Sequence, residues 1–273
     1  MQWMTALAHL RRSRLPGVLV TLAQVRGHSP RPAGAKMVVA AEQVWDTIGG
    51  GNLEAVAIDA ARELLRTGGT TPEMLNVSLS DKAPLQFGVQ CCGGEVTVLL
   101  DPVPVAGAVA IFGMGHVGLE LARILARHEV HLTLVDSRAE QLTEERLAVL
   151  SDAVASVHVR HEPLTPERAI ADLPAGAHVL VMTHDHAEDL AICDAALRTD
   201  QLGSIGLIGS SAKWARFTRT LTAEYEHDRA ELERITTPIG RPDIAGKEPA
   251  VIALSVAADL IVRLHAEAGA GTP

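Results

Sequence analysis

The sequence predicts a mixed α/β chain. An N-terminal α+β domain spans residues 1–103, and a doubly wound, Rossmann-like parallel-sheet domain spans residues 104–273. Three observations predict it. A chain of 273 residues, 47% hydrophobic and 21% charged, is long enough for one large domain or two ordinary ones with filled cores. From Val105 onward, short and nearly continuous apolar runs alternate with helix-like stretches, the pattern of a parallel sheet covered on both faces. Between the two patterns lies "DPVPVAG", where Pro102 and Pro104 mark the boundary.

Taken in order, the first half opens with a helix, followed by strands at "GVLVTLAQV", "AKMVVAA" and "QVWDTIG". A helix follows from about Leu53 to Arg66, then strands at "MLNVSLS" and "EVTVLL". In the second half "VAIFG", "HLTLVD", "SVHV", "HVLVMTH" and "SIGLIG" are five candidate strands, each followed by a helical segment of roughly ten or more residues. The final helix, about Pro249 to Glu267, starts with proline in its first turn. It carries Asp259 and Arg263 and reads as a buried helix rather than a membrane span.

Composition narrows the function classes. A formal charge of −9 argues against a nucleic-acid partner, whose phosphate backbone calls for a basic surface. An anionic small ligand stays open, because backbone amides can hold a phosphate on an acidic protein. In "MQWMTALAHLRRSRLPG" the basic residues follow the apolar stretch, the reverse of a secretory signal. Three cysteines cannot complete a disulfide framework, which points to a reducing, cytoplasmic setting. No apolar run approaches the roughly 20 residues that span a bilayer, so no membrane partner is expected.

Six stretches carry chemistry. "VAIFGMGHVGLELARIL" contains Gly113, Gly115 and Gly118 in G-x-G-x-x-G spacing between a strand and a helix. There Gly113 makes the turn, Gly115 admits a pyrophosphate to the backbone, and Gly118 lets helix and strand pack closely. The helix N-terminus offers N–H groups and a positive dipole end. Asp136, about twenty residues on at the end of "LTLVD", stands where an acid binds ribose hydroxyls. His116, inside the fingerprint, either contacts the ligand or covers it from outside. In "VMTHDHAEDL", Thr183, His184, Asp185 and His186 sit at the carboxyl edge of the fourth strand, where ligands lie in open α/β sheets. Asp185 there also suits a helix cap. "IGSSAKWARF" adds Gly209, Ser210, Ser211 and Lys213 as a second anion-binding junction.

In the first half, "RGHSPRPAGAKMVV" crowds Arg31 and Lys36 onto a rigid loop. "DTIGGGNLEAVAI" sets Gly49, Gly50 and Gly51 before Asn52 and a helix containing Glu54, a ready anion nest. "LQFGVQCCGGEV" pairs Cys91 and Cys92 before two glycines. The pair reads either as small buried residues near a hairpin or as a presented thiolate, able to meet a metal or carry sulfur. Cys193, in "DLAICDAAL", reads as core.

Together "GHSPRPAGAKM", "TIGGGNLE", "QCCGGEV", "IFGMGHVG", "THDHAEDL", "IGSSAKWARF" and "PIGRPDIAGKEPAVIALSVAADL" resemble the XdhC/CoxI family of xanthine dehydrogenase accessory proteins, nearly end to end. "GGGNLE" is similar to the xanthine dehydrogenase branch; CoxI-type members tend to carry cysteine where Asn52 stands. "GSSAKW" departs from the commoner arginine-containing form of its loop. The resemblance implies a molybdenum cofactor chaperone rather than a turnover enzyme. Such a protein binds molybdopterin-held molybdenum, protects it, and supports its sulfuration with a cysteine desulfurase. It then inserts the cofactor into the molybdenum-binding subunit of apo-xanthine dehydrogenase, commonly as a homodimer. Arg31, Lys36, the two glycine loops and Cys91 or Cys92 are the residues expected to meet the cofactor. The rival readings from the fingerprint are an NAD(P)-dependent oxidoreductase or a nucleotide-sensing module.

Overall fold

The computed structural model describes residues 2–79 and 94–269, and they form two compact units, Met1–Val105 with His265–Pro273, and Ala106–Leu264. The Cys91–Cys92 pair lies outside the described residues.

Among the described residues up to Val105, the first unit is an antiparallel sheet with two helices. Helix α1 (Trp3–Ser13) precedes β1 (Gly17–Arg26), β2 (Lys36–Val39) and β3 (Val44–Asp46); α2 (Gly51–Thr67), β4 (Glu73–Ser78) and β5 (Glu95–Val103) follow. The sheet order is β3-β2-β1-β5-β4. Alternation along β1 sends Val18, Val20 and Leu22 to one face, where they pack with Leu53, Ala57, Ala61 and Leu64 of α2. That one-sided burial is what an amphipathic helix at 3.6-residue spacing provides against a two-residue strand repeat. Helix α1 lays Ala6 and Leu10 against Val38 and Ala40.

The second unit has six parallel strands: β6 (Gly107–Phe112), β7 (Val130–Asp136), β8 (Ser156–His161), β9 (His178–Val181), β10 (Ser204–Leu207) and β11 (Ile235–Thr236). Their order, β11-β10-β9-β6-β7-β8, is that of a doubly wound dinucleotide-type fold with its switch point between β6 and β9. Helices α3 (His116–Leu125), α4 (Glu144–Leu147), α5 (His186–Leu197), α6 (Ser211–Ala223), α7 (Arg229–Leu232) and α8 (Pro249–Gly269) connect or follow them. Val109 and Ile111 pack with α3 and α8, while Ala110 and Phe112 join the core holding α5 and α6. Both faces are therefore covered, as the apolar runs predict.

Four expectations need correction. A sixth strand, β11, continues the sheet beyond β10. The segment after β8 is a 3-10 helix, Pro166–Asp172, because Pro166 and Pro174 bracket too few residues for several α-turns. The β7–β8 connection is likewise broken into short pieces, since the Thr143 hydroxyl accepts from Arg146 N–H and restarts the helix in mid-run. Finally, α8 is not buried all round. Ala253, Val256, Ala257 and Leu260 face the core, but Leu254 and Val262 are more than half exposed. By length and composition alone, Pro249–Ala266 is also apolar enough to cross a membrane.

Candidate functional site

The glycine fingerprint lies at the carboxyl end of β6, and its three glycines do different work. Gly113 has φ +103°, and a Cβ there would sit 2.3 Å from the Met182 carbonyl oxygen. A Cβ on Gly118 would sit 2.0 Å from the Gly113 carbonyl oxygen. These two positions are fixed by packing within the chain. Gly115 differs: at φ −68° it tolerates any residue, yet a Cβ there would meet nothing within 4 Å among the described residues. It is the N-cap of α3 with no side-chain cap, so the open space lies at the positive end of a helix. His116 is exposed beside it.

A cation that the motif gave no sign of stands at the loop. Arg146 donates from its terminal nitrogen to the Met114 carbonyl at 3.2 Å, and its Nε is buried without a partner among the described residues. Nothing in "EERL" marks Arg146, because only the fold brings α4 to the glycine loop.

Asp136 is fully engaged by its own chain. Its Oδ2 accepts from the Met114 N–H at 2.6 Å and from the Arg138 guanidinium at 3.0 Å. Its Oδ1 accepts from the Arg138 N–H at 2.9 Å and from Arg138 Nε at 3.0 Å. The side chain is 2% exposed. Burial by itself pushes the carboxyl pKa up, but the Arg138 guanidinium, the Arg138 N–H and the Met114 N–H outweigh it and hold it below the ordinary range. Beside the pair, Ser137 Oγ donates to Glu188 of α5 at 2.6 Å.

The other two junctions at this edge are tied together. Asp185 caps α5 through the Ala187 and Glu188 N–H groups, which lower its pKa. Thr183 donates from its N–H and hydroxyl to Asp189 Oδ1 at 3.0 and 2.8 Å. Lys213 forms an ion pair with Asp189 and donates to the Ile208 carbonyl at 2.9 Å, so its charge faces inward. Ser210 caps α6 by accepting from the Lys213 N–H. His184 lies 3.8 Å from Glu188, and His186 Nδ1 is 2.8 Å from the Arg216 guanidinium. No cluster of three or more His, Cys, Asp or Glu among the described residues suits a metal. Asp189, buried and central to this network, was not singled out from sequence; an aspartate in the first turn of a helix carries no distinguishing signal.

In the first unit the glycine triple is a left-handed run, φ +132°, +74° and +63° at Gly49, Gly50 and Gly51. Its central amide already serves an anion, together with the Ile48 amide before the triple. Glu54 Oε2 accepts from the Ile48 N–H at 3.2 Å, the Gly50 N–H at 3.0 Å and the Thr47 hydroxyl. Lys36 donates to Thr21 Oγ1 at 3.0 Å and lies over the Trp3 ring, whereas Arg31 is exposed with its Cγ 3.5 Å from a Cβ built on Gly49. Among the described residues, Asn52, 8% exposed, has no hydrogen-bond partner for its Oδ1, and Ser29 Oγ is also buried without one. Cys193 is core as expected, its thiol pushed up to about 12 first by burial and then by Asp189.

Comparison with known proteins places the chain. A model described as the XdhC Rossmann domain matches residues 109–260, and one described as the XdhC and CoxI family matches residues 10–77. "Uncharacterized protein YqeB" of Escherichia coli K12 is 23% identical over 257 residues, 94% of this chain but 45% of that protein. "Molybdenum cofactor insertion chaperone PaoD" of the same organism is 27% identical over 288 residues, 92% of this chain and 84% of that protein. A crystal structure described as a xanthine dehydrogenase from Bacillus halodurans is 20% identical with a TM-score of 0.48, covering 97% of this chain and 96% of its own. The two family matches, in the order that the motifs predict, show that this chain belongs to the XdhC/CoxI family.

Proposed function

We propose that the protein is a molybdenum-cofactor chaperone: it binds molybdopterin-held molybdenum as cargo, shields it, supports its sulfuration and inserts it into apo-xanthine dehydrogenase. The observation that carries the reading is the open cradle at Gly115, where an uncapped helix start faces space and the Arg146 guanidinium of α4 is bonded to the same loop. A phosphorylated pterin presents the dianion that such amides recognise. Family membership and the likeness to PaoD support cargo of this kind.

On this reading the N–H groups at the start of α3 hold the cargo's phosphate, and Arg146 supplies the neutralising cation. The other strand-end junctions, braced by Asp189–Lys213 and capped by Asp185 and Ser210, keep that edge rigid. Cys91 or Cys92 acts at the metal, as a soft thiolate ligand or a persulfide carrier that receives sulfur from a cysteine desulfurase. The protein works in the cytoplasm as a homodimer and turns over no substrate of its own.

The test is reconstitution. Purified protein loaded anaerobically with molybdenum-bearing molybdopterin activates the molybdenum-binding subunit of apo-xanthine dehydrogenase, and the unloaded protein does not. Failure to activate refutes the chaperone role. Undiminished retention and sulfuration in the Cys91→Ala/Cys92→Ala double variant refutes the thiol part alone.

A further inference from the structure

We propose that the Asp136–Arg138 ion pair fills the ribose subsite of this Rossmann unit, and so restricts the glycine loop to phosphate ligands that carry no ribose diol at that position. The inference rests on the loop being a ligand site and names the class of ligand that it takes.

In a dinucleotide-binding unit, the acid at the end of the second strand accepts hydrogen bonds from the ribose hydroxyls. A vicinal diol offers a carboxylate two parallel O–H donors. A guanidinium fork offers two parallel N–H donors to the same lone pairs, with a positive charge behind them. Here the fork is already in place. Arg138 Nε and its terminal nitrogen each lie 3.0 Å from separate oxygens of Asp136. The remaining capacity of the carboxylate goes to two backbone amides, Met114 N–H at 2.6 Å and Arg138 N–H at 2.9 Å. A neutral diol would have to displace a charged, bidentate donor from a buried carboxylate, and that exchange is unfavourable.

Two further observations fit a blocked subsite. The Arg138 side chain is 25% exposed, so it covers Asp136, which is 2% exposed, from the solvent side. Glu188 of α5 closes on the neighbouring Ser137 through a 2.6 Å hydrogen bond. The bond from Asp136 to Met114 N–H also turns the acid into a brace for the glycine loop, a task separate from ligand recognition. Gly115 remains open, so phosphate entry and ribose exclusion occur at different residues.

The experiment is calorimetric titration of the full chain with NAD and, separately, with inorganic pyrophosphate as a probe of the loop. The wild type takes pyrophosphate, loses it in Gly115→Val, and shows no NAD association up to about 1 mM. Arg138→Ala frees both lone pairs and gains NAD binding by about tenfold or more, a gain that general loosening of the structure would not produce. Arg138→Gln, which keeps most of the side-chain stem, repeats the test if the alanine variant does not fold. Micromolar NAD binding by the wild type overturns the proposal, as does a folded Arg138 variant that stays blind to NAD. If pyrophosphate and molybdopterin both fail to bind the wild type, the loop reading itself falls. If they bind and NAD binds equally well, only the selectivity falls.

Discussion

Removing the Asp189 carboxylate should destabilise the second unit far more than a surface substitution. Asp189 and Lys213 side chains are 1% and 11% exposed, and their ion pair joins α5 to α6 behind the ends of β9 and β10. Breaking a buried pair by deleting one member costs about 3–5 kcal/mol, because the survivor is left charged in a poor solvent. The two deletions are not equivalent. Asp189→Ala leaves the Lys213 ammonium with the Ile208 carbonyl and the face of the Phe217 ring, and also orphans the Thr183 N–H, while the Thr183 hydroxyl keeps the Asp185 carbonyl. Lys213→Met leaves a carboxylate that keeps both Thr183 donors. We therefore expect Asp189→Ala at the upper end of that range and Lys213→Met at or below its lower end. At about 2–4 °C per kcal/mol for a unit of this size, the alanine variant should melt some 10–20 °C lower. Urea unfolding monitored by circular dichroism gives the free energy directly. An apolar double variant, Asp189→Leu with Lys213→Met, should recover much of the loss. A loss below about 1 kcal/mol in Asp189→Ala would refute the reasoning, and would return Lys213 to the anion-binding role that its sequence position suggests.

The glycines should separate by role. Gly118→Ala and Gly113→Ala force a Cβ to 2.0 and 2.3 Å from carbonyl oxygens, and each should cost about 1–3 kcal/mol or more, while Gly115→Ala stays within about 1 kcal/mol of wild type. Equal melting temperatures for all three would contradict the assignment. The Asp136 contribution should vanish in acid: with its folded pKa depressed, it is fully present above about pH 4 and lost as pH falls through the folded value. Asp136→Asn should therefore flatten the acid limb of the stability curve; an unchanged limb would count against the bonds to Arg138 and Met114.

Most of the fold was legible because it follows from hydrophobic periodicity. The runs at β6, β7, β9 and β10 are apolar on both faces, which only a covered parallel sheet explains. Ile235–Thr236 was missed because two residues carry no period, and β10 alone pairs with them. The site was legible as a set of positions but not as a set of bonds. Spacing brought Asp136 to the glycine loop, yet not the fact that Met114 and Arg138 already occupy its oxygens. Likewise, "GGGNLE" announced an amide nest, but whether Glu54 or a ligand fills it depends on how the chain bends between Ile48 and Glu54. Sequence names donors and acceptors; only the fold assigns them to each other.

The central claim is that amides at the start of α3 hold the phosphate of a molybdenum-bearing pterin. The most direct measurement is equilibrium binding of that compound, under anaerobic conditions, to the wild type and to Gly115→Val in parallel. The account predicts near-stoichiometric binding by the wild type and an affinity at least about tenfold weaker in the valine variant, with the far-UV spectrum unchanged. No association with the wild type, or equal affinity in both proteins, would contradict it.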